Sequence, residues 1–440
     1  MKTMNQIHLA AALLLALSGT ALGQVGCDGA GLKLPDGFCA TVFAENLGRA
    51  RHLAVSARGD VYVALRQPVH DSGIASRVIA GIKDMFGLRE PVHGGGGIAA
   101  LRDTNADGRA DVVRYFGDVA GSGIAIYDGH LYFGTVTKVV RWSLAGDALV
   151  PVGDPQVVVS GMPVQHQHSA RSLVINPQGD LFINIGAPSN SCQKQDRQTG
   201  SPGIDPCPLL RLHGGIWRFS AEKTGQVFDA AHRYATGIRN AVAMDWNAPM
   251  DHLYVIQHGR DDLHRLWPEL YTPEQNANLP AEEFLRVDQG DHFGWPYCYY
   301  DPFKDKKLLA PEYGGDGSEV GRCARFEDPV LAFPAHWAPN GLLFYYRAAF
   351  PNAYSGGAFI AFHGSWNRAP FPEQGYKVVF VAFEDGMPAD GDWRVFADGF
   401  AGKSFPANTE YRPVGLARDH DGALYVSDDV QGRIWRITYE

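Results

Sequence analysis

A short β-hairpin pattern recurs along the chain and constrains the fold more than any other feature of the sequence. Each copy has two runs rich in apolar residues on either side of a turn, and most of these turns carry a glycine. The second strand of each copy is anchored at one of six positions: Val61, Leu131, Leu181, Leu253, Ala358 and Leu424. One short hairpin repeated at long, uneven intervals is typical of a radial array of sheets and not of a sandwich. The sequence therefore predicts an all-β chain folded as a six-bladed β-propeller.

The copy at residues 165–188 has a cluster of ionisable side chains that could take part in binding or catalysis. It reads QHQHSARSLVINPQGDLFINIGAP and has His166, His168 and Arg171 immediately before its first strand. Alternating apolar residues on both sides of the Pro/Gly turn predict strands at 172–175 and 181–185. We therefore expect the three side chains at the edge of a sheet, where a small molecule can reach them.

The first residues have the pattern of an export signal. Lys2 precedes an apolar run at residues 9–17, and small residues stand at Ala21 and Gly23. The run is much shorter than the ~20 residues that a membrane-spanning helix needs. We therefore predict a signal peptide at residues 1–23, a single propeller domain at residues 24–440, and a periplasmic or secreted protein. Cys27 raises the alternative of a lipid anchor, although Gln24 stands where a lipobox has leucine.

The six cysteines fall into three pairs of near neighbours. An even number behind an export signal favours disulfide bonds, although the sequence alone leaves the pairing open. The spacing favours the bridges Cys27–Cys39, Cys192–Cys207 and Cys298–Cys323.

The charge balance argues against two classes of partner. The chain has 48 acidic residues against 39 Lys and Arg, a formal net charge of −9. This excess opposes binding to nucleic acid, and the sequence has no basic run that would favour a membrane surface. Periodic helical segments are scarce; the best candidates are residues 75–86 and 273–285, and Pro280 is expected to split the second.

Polar side chains precede the first strand of several hairpin copies. They are Arg51, His168 with Arg171, Arg239 with Asn240, Asn340, and Arg412. In a propeller these strand starts approach the central axis, so residues distant in sequence meet in one funnel. Any one of them is more often a surface or salt-bridged residue, but the repetition favours a shared site. Several guanidinium groups repel one another unless an anion neutralises them, so we expect a small carboxylated ligand.

Residues 103–111, DTNADGRAD, have the oxygen ligands of a calcium loop at alternate positions. The candidate ligands are Asp103, Asn105, Asp107 and Asp111. Arg114 stands at the position where an EF-hand has its bidentate glutamate. Two readings stay open, a second, structural calcium and a solvated Asx-rich turn. Either would stabilise the loop and not form the reaction centre.

Six motifs in a fixed order carry a family resemblance. They are HSARSL from His168, GIRN from Gly237, QHGRDD from Gln257, FGWP from Phe293, HGSWNR from His363 and YRPVG from Tyr411. Together they resemble the sorbosone and soluble glucose dehydrogenases, a family that depends on pyrroloquinoline quinone (PQQ), and are most similar to its sorbosone dehydrogenase branch. The resemblance spans residues 32–439, and the set is far more specific than any single motif.

The resemblance implies roles for single residues. By its matching position His168 is the general base, which removes a hydroxyl proton while hydride passes from the adjacent carbon to the quinone. Arg239 is expected to donate hydrogen bonds to the quinone oxygens, with Asn240 beside it. The other expected cofactor contacts are Arg51, His363, Arg368 and Arg412.

The resemblance also implies a calcium ion beside the cofactor. In the family this ion is bound by main-chain carbonyls of the loop that matches Gly259 and Arg260, and calcium accepts carbonyl oxygens readily. The ion would polarise the quinone and fix its orientation. The chain departs from the soluble glucose dehydrogenase branch at Val242, where that branch has glutamine, and at Glu410, where it has a further arginine.

Three tryptophans are candidates to stack on a sugar ring at the mouth of the funnel. They are Trp295, Trp337 and Trp366. Burial in a core is the more common role of tryptophan, so each has a structural alternative.

The sequence thus predicts an exported, PQQ- and calcium-dependent dehydrogenase that oxidises an aldose, sorbosone or a related sugar or aldehyde. It would pass the electrons to an external acceptor. Two alternatives from other classes stay open. One is a calcium-dependent lactonase-like propeller hydrolase, which would need carboxylates around an axial metal, and the other is a non-enzymatic propeller that binds protein or glycan.

Overall fold

A computed structural model gives the fold of the chain. It describes residues 29–66, 97–117, 119–144, 146–389, 391–402 and 409–440. The predicted signal peptide at 1–23, Cys27 and the candidate helix at 75–86 lie outside the described residues.

Six sheets, each with four antiparallel strands, surround a central axis, and we number them as blades 1 to 6 in chain order. The strands of blade 1 are Ala50–Val55, Val61–Leu65, Gly97–Arg102 and Val112–Phe116. Those of blade 2 are Gly121–Tyr127, His130–Thr135, Val139–Ser143 and Gln156–Ser160. Those of blade 3 are Leu173–Ile175, Asp180–Ile185, Gly215–Ser220 and Arg233–Thr236.

The second half of the ring repeats the same arrangement. The strands of blade 4 are Ala241–Asn247, His252–Gln257, Glu282–Val287 and Leu331–Phe333. Those of blade 5 are Pro339–Tyr345, Gly357–Phe362, Lys377–Glu384 and Arg394–Ala397. Those of blade 6 are Pro413–Arg418, Leu424–Asp428, Ile434–Tyr439 and, from the other end of the described chain, Phe38–Ala44. Each predicted anchor residue lies in the second strand of its blade, and the prediction of a six-bladed propeller is confirmed.

Three short additions extend this plan. Gln226–Val227 adds a parallel strand to the outer edge of blade 2, and Met387–Pro388 pairs with the third strand of blade 5. A separate two-stranded hairpin joins Cys298–Asp301 to Lys306–Leu309. The short helical segments are Gly29–Gly31, Pro208–Arg211, Ala230–His232, Leu263–Leu266, Pro273–Asn278, Pro311–Tyr313, Gly321–Arg325 and Asn352–Tyr354.

The candidate helix at 273–285 is only half correct. A capping box at Thr272 and Gln275 starts the helix Pro273–Asn278, as a capped N-terminus should. The chain then leaves the helix at Leu279, before Pro280, and Glu282–Val287 forms the third strand of blade 4. Pairing with strands on both sides outweighs the helical pattern of these residues.

In the hairpin turn of blade 3, a side-chain acceptor and a glycine fix the backbone. In blade 3 the Asn176 side chain accepts hydrogen bonds from the main-chain N–H groups of Gln178 and Asp180. Gly179 completes this turn with a φ of 83°, in the left-handed region that favours glycine. Such a side-chain acceptor and glycine fix the turn, and with it the register of the two strands.

The two ends of the described chain close the ring. Phe38–Ala44 pairs antiparallel with Ile434–Tyr439, with Ala40 opposite Ile437. The strand therefore completes blade 6 with residues from the beginning of the chain. Closure of this kind leaves no gap between the last blade and the first.

Apolar side chains fill the spaces between neighbouring blades. Six buried clusters each join one pair of neighbouring blades around the ring. The second strand of blade 5, Gly357–Phe362, is buried along its whole length, because it is covered on both faces. The first strands, nearest the axis, instead line a central cavity of about 290 Å³.

Two long loops form a second layer beside the ring. Residues 186–214 follow the second strand of blade 3, and residues 288–330 follow the third strand of blade 4. The disulfides Cys192–Cys207 and Cys298–Cys323 join these loops internally, as predicted, and the loops pack on each other around Trp295. The remaining predicted bridge involves Cys27 and lies outside the described residues.

Among the described residues, no helix is long and apolar enough to cross a membrane.

Replacing Phe38 by alanine is expected to destabilise the closed ring. The buried Phe38 ring makes edge contacts with Phe350, Tyr354 and Phe396 at centroid distances of 4.9, 5.2 and 4.9 Å. Loss of a buried phenylalanine costs about 3–5 kcal/mol of unfolding free energy, measured by urea titration. Phe303, whose exposed fraction is 75%, is the matched control, and Phe303→Ala should change stability by less than about 0.5 kcal/mol. Equal losses in the two variants would contradict this account of ring closure.

Candidate functional site

The polar strand starts converge on one cavity of about 530 Å³ at one end of the axis. Its lining includes Arg51, His168, Asn240, Asn340 and Arg412, which come from different blades. Val242 also lines it. The structure thus brings these sequence-predicted residues together, as the geometry of a propeller requires.

One side of this cavity is strongly cationic. The guanidinium groups that line it are those of Arg49, Arg51, Arg66 and Arg412. Asp429 is the only carboxylate among the described residues that line it, and it pairs with Arg51 at 2.8 Å. The buried Nε of Arg51 has no hydrogen-bond partner among the described residues. An excess of cations with an unsatisfied donor favours an anionic ligand.

Asp429 binds two of the side chains that line this side of the cavity, and it is not among the residues expected from the sequence. Its carboxylate accepts hydrogen bonds from Arg51 Nη1 and His363 Nε2, each at 2.8 Å. Burial opposes the charged form, but His363 and Arg51 outweigh it and hold the pKa of Asp429 well below its usual range. The only signal in the sequence is the Asp428–Asp429 pair directly after an anchor strand.

The predicted cofactor residues Arg412 and His363 lie side by side. Arg412 donates from Nε to the His363 carbonyl at 3.1 Å and from Nη2 to the Gly364 carbonyl at 2.7 Å. The main-chain N–H of Arg412 donates to Asp428 at 2.6 Å. These contacts fix the guanidinium at the wall of the cavity.

A second cavity of about 270 Å³ adjoins the first. The two share His168, His258, Ala338 and Trp366. The other residues of the second cavity are Gln167, Arg197, Arg239, Gly259, Asp261, Glu282, His336 and Asn367. This cavity mixes carboxyl, amide, imidazole and guanidinium groups, and it suits a polar ligand.

His168 is held at the junction in an unusual backbone conformation. Its φ is 51°, which costs energy for a residue with a Cβ. Gln165 holds the loop by donating from Nε2 to the carbonyls of His168 and Gly186, at 2.9 and 2.8 Å. A Cβ at Gly186 would lie 2.6 Å from the Cβ of His168, so only glycine permits this approach.

The hydrogen bonds of His168 fix its tautomer. Nδ1 lies 2.5 Å from the Ala187 carbonyl oxygen, and because a carbonyl only accepts, Nδ1 carries the proton. Burial, with Arg239 adding to it, lowers the pKa of His168 to about 3. The ring is therefore neutral near pH 7, and its Nε2 has a free lone pair that can accept a proton.

His258 has the same character. Its Nε2 donates to the Pro339 carbonyl at 2.8 Å, and burial lowers its pKa to about 4. It is a second neutral imidazole at the junction. His258 belongs to the QHGRDD motif, but nothing in the sequence distinguishes it from a structural histidine.

Arg239 lies in the second cavity and is almost fully bound by the protein. Nη2 donates to Asp261 at 2.8 Å and to Asn190 Oδ1 at 3.0 Å, and Nη1 donates to the Gly259 carbonyl at 2.9 Å. Nε donates to the Asn190 carbonyl at 3.2 Å. Among the described residues this leaves one of its five N–H groups, on Nη1, without a partner.

The predicted calcium loop lies against Arg239. Gly259 lines the second cavity, and its carbonyl already accepts one hydrogen bond but has a further lone pair. The Arg260 side chain turns away and forms a buried ion pair with Glu312. Within the described ranges no three His, Cys, Asp or Glu side chains converge as a metal-ligand set. A calcium ion here stays a prediction and would depend on main-chain and ligand oxygens.

Two predicted arginines lie outside the group that lines the cavities. Arg368 donates to the carbonyls of Pro372 at 3.1 Å and Ala335 at 3.4 Å, and also to Ala277. Arg171 is fully buried and donates to the Val136 and Pro163 carbonyls at 3.0 and 2.6 Å. Both tie loops to the ring through main-chain oxygens, which a motif in the sequence cannot distinguish from ligand binding.

The loop at 103–111 is remote from these cavities and internally hydrogen-bonded. Asp103 accepts from the main-chain N–H of Gly108 at 2.8 Å, and Asp111 accepts from Thr104 Oγ1 at 2.7 Å. The Asn105 amide donates to Asp107 and Asp111, each at 3.2 Å. The second calcium at Asp103, Asn105, Asp107 and Asp111 stays a prediction.

The three candidate tryptophans differ in their surroundings. Trp295 and Trp337 are buried, and their Nε1 atoms donate to the Asn190 carbonyl at 2.9 Å and to Gln374 Oε1 at 3.2 Å. Trp366 has an exposed fraction of 66% and lines both cavities. Trp366 alone of the three is available to a ligand at the mouth.

Comparison with known proteins identifies related chains. A family profile described as TrAA12-like matches residues 119–440. The chain is 25% identical over 341 residues to a pyrroloquinoline quinone-dependent sugar dehydrogenase of Hypocrea jecorina, covering 72% of this chain and 73% of that protein. It is 27% identical over 236 residues to a pyrroloquinoline quinone-dependent pyranose dehydrogenase of Coprinopsis cinerea, covering 46% of this chain and 30% of that protein.

A solved structure has the same fold. It is a calcium structure of a Trichoderma reesei protein of Carbohydrate-Active Enzymes Family AA12, which aligns with a TM-score of 0.71 and 19% sequence identity. The alignment covers 94% of this chain and 99% of that one.

Acidification is expected to destabilise the protein through its buried histidines. The pKa values of His168 and His52 are lowered by burial to about 3 and about 4, whereas an unfolded histidine titrates near 6.5. Between these values the unfolded chain binds more protons, so the stabilisation is complete above about pH 6.5 and is lost as pH falls toward 4. Each histidine should contribute about 1–2 kcal/mol of this loss between pH 7 and pH 5.

Urea unfolding at several pH values measures the effect. His52→Gln should flatten the dependence on pH, whereas His166→Gln, at an exposed position, should leave it unchanged. An unfolding free energy that stays constant between pH 7 and pH 5 would contradict the neutral state of these rings.

Proposed function

The chain belongs to the TrAA12-like family, and from this premise we propose that it is a PQQ-dependent dehydrogenase that oxidises a sugar. Two relatives at 25% and 27% identity are PQQ-dependent sugar dehydrogenases. The observation that carries the proposal is a cavity with four guanidinium groups and one carboxylate that opens onto a neutral, correctly tautomerised imidazole.

The residues present fit this cofactor. PQQ is a planar quinone with three carboxylates, and the cationic cavity supplies the charge that they require. Arg51, with its unpartnered Nε, and Arg412 would hold carboxylates, and Arg49 and Arg66 line the same wall. Asn240 and His363 also line this cavity and offer further hydrogen bonds. Arg368 is left out of the proposed cofactor contacts, because it does not line either cavity and binds Asn278 and three main-chain carbonyls.

When bound, PQQ would accept a hydride, and with it two electrons, from the carbon that carries the reacting hydroxyl. His168 would act as the general base on that hydroxyl. Its Nε2 lone pair would receive the O–H proton as the C–O single bond becomes a carbonyl. The low pKa of His168 keeps this nitrogen unprotonated near pH 7.

Arg239 would stabilise negative charge that develops on an oxygen atom in the second cavity. One Nη1–H is left for this purpose, so we expect a single hydrogen bond from this residue and not several. A buried, preoriented donor of this kind costs no reorganisation at the moment of reaction.

We include a calcium ion in the proposal, held by the carbonyls of Gly259 and Arg260. One solved structure with this fold is a calcium structure. The ion would lie next to Arg239 and orient the ligand through oxygen contacts.

The substrate is proposed to be an aldose, sorbosone or a related sugar or aldehyde, with the electrons passing to an external acceptor. The mixed polar lining of the second cavity and the exposed Trp366 suit a hydroxyl-rich ring. Two disulfides and the leader-like residues 1–23 support export to the periplasm or the medium, with residues 24–440 as one domain.

The first test mixes purified apoprotein with PQQ and calcium, then adds sugars and a dye acceptor. Dye reduction that needs PQQ supports the proposal, and a further dependence on calcium supports the ion. His168→Asn should lower kcat on the order of 10²–10⁴-fold, because the general base is lost, while PQQ affinity changes little. His166→Asn, two residues away and exposed, is the control. A His168→Asn variant with near-normal kcat would overturn the assignment of the base.

Trp366→Ala should raise the KM for the sugar and leave PQQ affinity unchanged. A nucleic-acid base stacked on an aromatic side chain gains about 1–3 kcal/mol, and a comparable contact with the sugar would correspond to roughly 5- to 150-fold in KM. Steady-state kinetics across sugar concentrations measures it. Trp366→Phe should retain most of the affinity, and an unchanged KM in Trp366→Ala would remove Trp366 from the substrate site.

A further inference from the structure

A hydrogen-bonded clamp surrounds the guanidinium of Arg239. We propose that Asp261 is a positioning residue of this enzyme, one that fixes the direction in which Arg239 offers its last N–H to the second cavity. The inference rests on the proposed function, because that function gives Arg239 a developing negative charge to stabilise.

Arg239 has little freedom to move. Four of its five N–H groups are bound, to Asp261, Gly259 and two oxygens of Asn190. Burial lowers the pKa of the guanidinium, and Asp261 opposes that shift. The carboxylate of Asp261 thus offsets part of the cost of burying this positive charge.

The carboxylate of Asp261 accepts three hydrogen bonds. Its Oδ2 accepts from Arg239 Nη2 at 2.8 Å and from Arg197 Nη2 at 2.9 Å, and its Oδ1 accepts from Asn367 Nδ2 at 2.8 Å. Burial opposes ionisation, but Arg239 and Arg197 outweigh it and hold the pKa of Asp261 well below its usual range. The carboxylate is thus charged and separates two guanidinium groups that would otherwise repel each other.

The backbone of Asp261 is anchored as firmly as its side chain. Asn190 Oδ1 accepts from the main-chain N–H of Asp261 at 2.9 Å, and Asn190 Nδ2 donates to the Asp261 carbonyl at 2.9 Å. Asn190 is fully buried and lies two residues before Cys192, next to the loop closed by the Cys192–Cys207 disulfide. Loops from three blades, which carry Asn190, Asp261 and Asn367, therefore meet at Asp261.

The test compares Asp261→Asn with Asp261→Glu and with Asp262→Asn. Asp262 is the matched control, because its carboxylate contacts Arg197 and Arg265, at 2.8 and 2.7 Å, and Arg239 is not among its partners. Each protein is loaded with PQQ and calcium, and four quantities are measured: kcat, KM, PQQ affinity by titration of the apoprotein, and the absorption spectrum of bound PQQ. Thermal unfolding of the apoprotein reports on folding.

Asp261→Asn should lower kcat on the order of 10²-fold, as expected when one preoriented donor is misdirected. PQQ affinity and KM should change much less, because the arginines proposed to hold the PQQ carboxylates, Arg51 and Arg412, line the first cavity. The absorption spectrum of bound PQQ should shift. Asp261→Glu should recover part of kcat and of the spectrum, because it keeps the charge. Asp262→Asn should match the wild type in both.

The outcomes are distinct. If wild-type protein shows no PQQ-dependent dye reduction, the proposed function itself fails. If wild type is active and Asp261→Asn keeps its kcat and spectrum, or loses only thermal stability, Asp261 is not a positioning residue. Should Asp261→Asn not fold, Asp261→Glu decides alone: it must lower kcat and shift the spectrum, since its longer side chain displaces Arg239, and an unchanged variant overturns the proposal.

Discussion

Closure of the ring is the constraint on which the other features depend. Phe38–Ala44 completes blade 6 by pairing with Ile434–Tyr439, and this pairing holds the first and last blades together. With the ring closed, the first strand of every blade must face the axis. Side chains at the starts of those strands, such as Arg51 and Arg412, therefore line the same cavity. The propeller topology therefore determines where this cavity lies, and the individual residues determine its charge.

The ring also explains how so many ionisable groups share a small space. Main-chain carbonyls at the rim accept one ring N–H from each of His168, His258 and His336. The imidazoles stay neutral, and the positive charge of the site is left to the arginines. Asp429 and Asp261 each bind an arginine, whereas Glu282 accepts hydrogen bonds from the main-chain N–H groups of Gly259 and Ala338. The result is a division between a cationic cavity and a mixed polar one, joined at His168.

Much of the architecture could be predicted from the sequence, because hairpin periodicity is a local property. All six anchors lie in second strands, and the near-neighbour spacing of the cysteines gave two correct disulfides. The convergence of strand starts follows from the fold class alone.

Contacts between distant loops could not be predicted in this way. Asp429, Gln165 and Asn190 hold the site through partners whose positions depend on the folded ring, and no motif marks them. For the same reason the HGSWNR motif does not reveal that Arg368 donates to Asn278 and to main-chain carbonyls of distant loops. Glu282–Val287 became a strand because two neighbouring strands were available to it, which a helical pattern cannot reveal.

The Cys192–Cys207 disulfide links the support of Arg239 to the redox state of the protein. Asn190, which binds Arg239, lies two residues before Cys192, so a bond that oxidising surroundings maintain anchors the chain next to this support. A chain made among reducing thiols would lose the bond that anchors the support behind Arg239. Both sulfur atoms are buried in the cluster around Trp295, so the bond belongs to the packing behind the second cavity and not to the exposed surface.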